Sequence, residues 1–494
     1  MMNIRSLFLE NMGIRQTIAK NTFWLVLSEI VSRVAGLFLV IHIARTLGAN
    51  EYGKFTFAFS FAFVVSIFSN MGISEIATRE FSRNKENEKN LSDILGLQVI
   101  LSLFILIAAL IGSFFITSDI ETRQALWILT FFVLSNGFLG VLFSFLRARQ
   151  KMEHEAGIKF FQTFLSLAVV MTVILFIPSI TNLSYGYLLS NIAVLIIALA
   201  YFNFHFQGLK IRFKKESFNI LRISWPLSFG LMLGWIYISI NSVILGYFGL
   251  ISENGWYNAA SRIAIVAIVP ASLIVRSFYP ALSSFFVSSK QHFQRTWNYL
   301  MESMILLAIP TVMGGLAQAD RIIHAFYGRE FAPSVFALQL FIVVAGISFI
   351  NYPYSAILVV SDHQKSFFFI MAAGAFLNIA LTFLLLPVFG FYGAIISIII
   401  ASTLIFLATV FLTRRLSLVI PFDWNLAKVS LVSLFSSAAM LFLISYKFIY
   451  ELNIMIVLLV GAGVYSLLLL TCYRFVFPNR ILILTEWKNG LKKL

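Results

Sequence analysis

The chain has 494 residues, 60% hydrophobic and only 12% charged, with a formal net charge of +15 and a mean hydropathy of +0.91. A soluble domain carries about 25% charged residues, and a chain of this length cannot hide so much apolar surface in one water-soluble core. Soluble globular, disordered, collagenous and nucleic-acid-binding classes are thereby excluded, and a polytopic membrane protein is left.

The first apolar run, 21–44, starts late and has full length, so it reads as a retained span and not a signal peptide. A span needs about 20 mostly apolar residues. The runs that follow are 55–72, 93–117, 124–146, 160–178 and 185–206, then 225–249, 258–284, 298–319, 334–359, 366–386 and 391–412, and finally 429–446 and 454–473. The expected fold is an all-α polytopic membrane protein of fourteen transmembrane helices. No connecting segment is long enough for a separate domain.

Lys and Arg set the orientation. With the N-terminus inside, 27 of the 36 basic residues fall in inside segments, 6 in outside segments and 3 within spans. Both termini are therefore expected in the cytoplasm. The net positive charge then has its source in membrane topology and not in a nucleic-acid partner.

A repeat is legible at long range. Span five and the start of span six read Arg149-Gln150-Lys151, an apolar run, Pro178 and Tyr185-Gly186. Spans eleven and twelve read His363-Gln364-Lys365, an apolar run, Pro387 and Tyr392-Gly393. The prolines are 209 apart and the Tyr-Gly pairs 207 apart. A weaker match joins Gly48…Tyr52-Gly53 to Gly249…Trp256-Tyr257, with glycines 201 apart. Together they indicate a duplication of six spans. Six is even, so the halves enter the membrane from the same side, as a parallel repeat about an axis along the membrane normal. The expected lobes are 1–208 and 209–415, with spans thirteen and fourteen in an appended segment, 416–494.

Charges inside the spans are the candidate site. Each costs at least about 2.5–3.5 kcal/mol to place in a bilayer. Arg33 lies near the middle of the first span, and Glu29 precedes it by one turn in the favourable acid-first order. The pair either satisfies itself or faces a cavity, where Arg33 meets an anion and Glu29 exchanges a proton or cation. Arg262 and Arg276 share one face of the eighth span; either can also snorkel to its nearer interface. Pro270 between them is a kink for packing or a hinge. Arginine dominates the buried charge, which suits an anionic cargo, above all a phosphate. Asn136, Asn191, Asn241, Asn351 and Asn378 lie deep in spans, with Tyr237 one turn before Asn241. Hydrogen bonds between helices are the default reading; sugar contact across a wet lumen is the alternative. Cys472 stands alone, which excludes an intramolecular disulfide and any cysteine-based metal site, and the six histidines show no metal spacing. Ser, His and Asp do not cluster on any outside loop, so no catalytic constellation, metal or cofactor is expected. The tail 477–494 reads as a basic interfacial helix, and the segment holding Leu7, Phe8, Met12 and Ile14 as a second one.

The stretch Arg33-Val34-Ala35-Gly36…Ala44-Arg45-Thr46-Leu47-Gly48…Tyr52-Gly53 resembles the opening of polysaccharide repeat-unit flippases of the O-antigen type. So do Asn378…Leu386-Pro387…Gly390-Phe391-Tyr392-Gly393-Ala394, Trp225-Pro226 and Tyr257…Ala260…Arg262-Ile263. These flippases belong to the multidrug/oligosaccharidyl-lipid/polysaccharide exporter superfamily. The resemblance implies two six-span lobes rocking around a central cavity in the inner membrane. It implies transport of a polyprenyl-diphosphate-linked oligosaccharide to the outer leaflet for polysaccharide or lipopolysaccharide assembly, with membrane lipids and other polysaccharide-assembly proteins as the further partners to expect. Its cavity arginines map to Arg33 and Arg262; the other intramembrane polar residues, Arg276, Tyr237, Asn241 and Asn378, are the further candidate substrate contacts. Coupling to H+, Na+ or membrane potential would pass through Glu29. A lipid II flippase or a cation-coupled multidrug exporter of the same fold is the nearest alternative. A membrane-embedded polymerase or glycosyltransferase is the alternative from another class. It needs a sizeable outside loop with catalytic acids or arginines, and the longest outside segment is only about 320–333, with Asp320, Arg321, His324, Arg329 and Glu330.

Overall fold

The computed structural model describes residues 13–83, 89–205, 211–213, 233–234, 236–419, 423–446 and 452–476. All regular structure among them is helical. The helices are α1 (Ile14–Asn70), α2 (Ile73–Arg83), α3 (Lys89–Ile116), α4 (Ile120–Ala148), α5 (Met152–Phe176) and α6 (Ile180–His205). Then come α7 (Ile236–Tyr247), α8 (Ile251–Ser288), α9 (Lys290–Phe326), α10 (Ser334–Val360), α11 (Gln364–Phe389) and α12 (Phe391–Arg415). The last two are α13 (Trp424–Ile444) and α14 (Ile454–Val476).

Twelve of the described helices are long and apolar enough to cross a membrane. One of them, α1, carries two of the expected spans. It has 57 residues, and at Gly48 the backbone leaves the helical region with φ +77° and ψ 174°, a conformation open essentially to glycine alone. Helix α7 is a shorter apolar helix; the first half of the seventh expected span, with Trp225 and Pro226, lies outside the described residues. Twelve helices with one doubled give thirteen spans among the described residues, and only the shorter α7 would bring the number to the expected fourteen. The expected interfacial segment 477–494, the expected boundary at 208, and Leu7, Phe8 and Met12 of the other interfacial segment also lie outside the described residues, while its Ile14 is the first residue of α1.

Packing divides the chain into two compact units. The first comprises residues 1–259 and 379–394, and the second 260–378 and 395–494. In the first unit α1 packs on α4 and α5, and α4 on α6. The amphipathic α2 places Ile73, Ala77 and Phe81, four residues apart, in a core shared with Ile94 of α3, Phe145 of α4 and Phe202 of α6. One continuous apolar cluster thus joins α2, α3, α4 and α6.

In the second unit α9 is central and packs on α10 and α13. Its Trp297 is fully buried and meets the Tyr354 ring edge-on at 5.0 Å. Helix α14 is fixed to this unit by polar contacts. The Tyr465 hydroxyl donates to the Leu306 carbonyl at 2.6 Å and shares a 2.8 Å bond with Ser433.

Candidate functional site

In the first unit, Arg33 Nε donates to Glu29 Oε1 at 2.7 Å. The i, i+4 spacing on α1 puts both side chains on one helix face. They remain 39% and 36% exposed, so the pair is displayed at the surface of its unit and not enclosed in it. Only Nε is committed: the two terminal amino groups of the guanidinium have no partner among the described residues. Gly36, less than one turn further on, has open space where a side chain would stand, and Val34 beside Arg33 is exposed. On the other side, Ser32 bonds Thr163 of α5 at 2.9 Å, which fixes the rotation of α1 about its axis. The local arrangement is therefore a cation oriented by its own acid, with the fork of its guanidinium free to bind an oxyanion.

Arg262 and Arg276 belong to the second unit, on α8. Arg262 is half-buried and Arg276 exposed. Neither makes an ion pair among the described residues. The helix runs without interruption through Pro270.

The deep amides are bonded within their own units. Asn241 is fully buried; its Nδ2 donates to the Ala394 carbonyl at 2.9 Å and its Oδ1 accepts from Thr382 at 3.3 Å. This ties α7 to α11 and α12. Tyr237, one turn earlier, is half-buried. Asn378 is fully buried and accepts from Ser397 at 2.8 Å, and Asn351 accepts from Thr409 at 2.8 Å. Asn136 and Asn191 share a single donor, Gln162 Nε2, at 2.9 and 2.8 Å. In each case the amide meets a polar group of another helix, the role expected where no water competes.

Three features escape a linear reading. First, Asn254 sits where α1 and α8 cross: it donates to the Gly53 carbonyl at 2.9 Å, accepts from Ser242 at 2.7 Å and accepts from Asn258 at 2.9 Å. In sequence it looks like an outside-loop residue. Second, Glu155 is fully buried and accepts from Arg147 Nη2 at 2.6 Å, Arg147 Nε at 2.8 Å and Lys159 at 2.8 Å. Nearby, Lys20 of α1 is buried and bonds Glu153 at 2.8 Å. The orientation count treats these cations as loop charge, whereas the structure uses them in ion pairs, two of them between helices. Third, Phe55, Phe59, Phe132 and Tyr187 form one aromatic cluster, with Phe55 stacked on Tyr187 at 5.8 Å.

Outside the expected spans, Lys54 bonds Glu51 at 2.8 Å and lies 3.8 Å from Asp119 and 3.9 Å from Glu121. The Glu51 bond raises the Lys54 ammonium above its ordinary pKa despite burial. Burial pushes the Asp119 carboxyl up, but hydrogen bonds from Thr122 and the Lys54 charge outweigh it and leave it below its ordinary value. Glu121 is raised, first by burial and then by Glu51. Among the described residues no group of His, Cys, Asp and Glu has the geometry of a metal site.

The helix order, the apolar spans and the sparse intramembrane charge define an all-helical multi-pass membrane protein. The structure is similar to the lipid II flippase MurJ in an inward closed conformation, with a TM-score of 0.74 at 18% identity, over 92% of this chain and 100% of that one. It is also similar to an inward-facing multidrug resistance MATE family transporter of the MOP superfamily, with a TM-score of 0.64 at 14% identity, over 78% of this chain and 95% of that one. A MOP superfamily transporter from Pyrococcus furiosus, described as having a binding pocket of reversed polarity, matches with a TM-score of 0.54 at 15% identity, over 84% of this chain and 99% of that one. Curated protein sequences give no match. The family model for polysaccharide biosynthesis proteins matches residues 18–286, more than half of the chain, and the chain belongs to that family.

Proposed function

We propose that this protein is an alternating-access flippase that moves polyprenyl-diphosphate-linked oligosaccharide repeat units from the cytoplasmic to the outer leaflet of the inner membrane, with both its termini in the cytoplasm. It performs no covalent chemistry in this reading. The observation that carries it is Arg33: a cation in an apolar span, oriented through Nε by Glu29, with both terminal amino groups uncommitted among the described residues. A diphosphate and hydrophilic sugars cannot cross about 30 Å of hydrocarbon unaided. An arginine fork that meets the phosphate offsets that desolvation, while the polyprenyl tail stays in lipid. Arg262 is the corresponding cation of the second unit, and Arg276 a further one on the same helix. Tyr237 lies one turn from the bonded Asn241, and with Asn378 these residues hold the helices that carry the sugar contacts. Pro270 is the hinge, and Glu29 the group that would couple transport to H+, Na+ or membrane potential.

The experiment is a leaflet-accessibility assay in proteoliposomes with a fluorescent lipid-diphosphate oligosaccharide. Protein-dependent transfer between leaflets, lost in Arg33→Ala, supports the proposal; transfer equal to that of empty vesicles overturns it. The similarity to MurJ favours one second reading, a lipid II flippase. The same vesicles loaded with lipid II decide between the two. The O-antigen type of glycan is the finer part of the proposal, and its test is the same assay across different repeat units.

A further inference from the structure

The second unit contains a cavity of about 700 Å³ that the transport proposal does not use. It is lined by α9, α10, α12 and α13, and its walls are almost wholly apolar. Met301 and Met313 mark its extent along α9. Twelve residues at 1.5 Å each make that about 18 Å, close to the ~15 Å depth of one leaflet of a 30 Å hydrocarbon core. The deep end lies at Met313 and Gly346, and the shallow end at Tyr354 and Arg414. Arg414 is the one charged residue in the lining, and it stands in the last turn of α12. Among the described residues it makes no ion pair. Leu434 of α13 and Arg414 are both exposed, so the cavity reaches the surface there.

We infer that this cavity is a binding site for one anionic phospholipid: an acyl chain lies along α9 and the headgroup phosphate rests on Arg414. Pockets of several hundred cubic ångströms with apolar walls and one or a few placed polar groups are typical of small-ligand sites, and basic pockets between membrane helices on the cytoplasmic side take anionic headgroups. Three observations select this occupant. The apolar length matches a single leaflet, the lining's one charge is positive, and that charge stands at the end of the cavity where a headgroup in the same leaflet would be. The orientation given by the Lys and Arg count makes this the cytoplasmic leaflet. A polyprenyl chain is several times longer than the cavity and would leave most of itself outside. The site is independent of Arg33 and of the proposed cargo.

The test is native mass spectrometry of the delipidated full-length protein, titrated with phosphatidylglycerol, phosphatidylethanolamine of the same acyl chains, glycerol phosphate and polyprenyl phosphate. One equivalent of phosphatidylglycerol is expected to bind, about tenfold or more tighter than phosphatidylethanolamine, because both offer a phosphate to Arg414 but only phosphatidylethanolamine brings an ammonium beside that guanidinium, which cancels the headgroup's net negative charge. Glycerol phosphate, which has the headgroup without the chain, is expected not to bind. Arg414→Gln should bring phosphatidylglycerol down to the phosphatidylethanolamine level. Ala308→Phe, which fills the cavity, should remove the bound lipid altogether; Val410→Phe fills it from α12 should the first variant fail to fold. Equal binding of the two phospholipids, or an Arg414→Gln variant that binds phosphatidylglycerol as tightly as the parent, would overturn the inference. So would displacement of phosphatidylglycerol by stoichiometric polyprenyl phosphate.

Discussion

Gly53 of α1 and Gly255 of α8 face each other across a reciprocal backbone contact. A Cβ on Gly53 would lie 1.9 Å from the Ile251 carbonyl oxygen, and a Cβ on Gly255 would lie 2.2 Å from that of Ala49. Gly53 and Gly255 are separated by 202 residues, as are Ala49 and Ile251, and Asn50 bonds Ser252 at the same separation. Two equivalent turns thus meet about a local twofold. Each follows a glycine in a left-handed conformation, Gly48 at φ +77° and Gly249 at φ +74°. Gly48 and Gly249 of the sequence match therefore lead into this contact, but the residue that pairs with Gly53 is Gly255, which the match does not include.

This contact predicts a sharp contrast among glycines. Gly53→Ala and Gly255→Ala must move backbone carbonyls, and overpacking of this kind costs about 1–3 kcal/mol or more. Gly157→Ala on α5 meets nothing within contact distance and relieves a helix of glycine, a gain of about 0.5–1 kcal/mol. Thermal unfolding in detergent should place the first two variants well below the parent and the third at or above it. Parent-like melting of Gly53→Ala would show that the two backbones do not meet this closely.

The buried Glu155 predicts a second stability effect. Removing one partner of a buried ion pair costs about 3–5 kcal/mol, because the other charges are left uncompensated. Glu155→Ala leaves both Arg147 and Lys159 without this acceptor. A large drop in unfolding temperature is expected, with Glu155→Gln intermediate. An unchanged melting temperature for Glu155→Ala would place this network in water and not in the protein.

Transport should follow the proposed roles of the intramembrane charges. A hydrogen bond to a charged group contributes about 1.5–3 kcal/mol, so Arg33→Ala and Arg262→Ala should each slow flipping by about tenfold or more at matched expression. Arg33→Lys should rescue poorly, since an ammonium lacks the planar fork. If Glu29 only orients Arg33, Glu29→Gln keeps partial activity and the parent's response to an imposed ion gradient; if it couples, that response vanishes. Full transport in both alanine variants would make these charges structural.

Topology is checked by single cysteines in a Cys472→Ser background. Ser288 and Arg415 are exposed at the ends of α8 and α12, and Ser118 is exposed before α4. Cysteines at the first two positions should react only from the cytoplasm and at the third only from outside. Labelling of all three from one side would remove the orientation argument.

Much of the architecture is legible in the chain because a bilayer imposes a coarse, one-dimensional rule. Each helix must be apolar for about 20 residues, so most of the expected runs recur, as α1, α3 to α6 and α8 to α14, without knowledge of any contact. The charged pair Glu29–Arg33 is legible because four residues on one helix fix its geometry locally. Partners distant in sequence are not. Gln162 between Asn136 and Asn191, and Asn254 on the Gly53 carbonyl, depend on how helices rotate against each other, and Glu155 under Arg147 depends on the turn between α4 and α5. Apolar helices give little periodic signal to fix that rotation, because lipid and protein interior attract the same side chains. The apolar cavity beside Arg414 is likewise a product of packing alone: its walls come from four helices, and no one of them reads as a binding element by itself. Hydrophobic length and local charge thus determined the class of protein, while close packing of small residues and satisfaction of buried polar groups decided which faces meet.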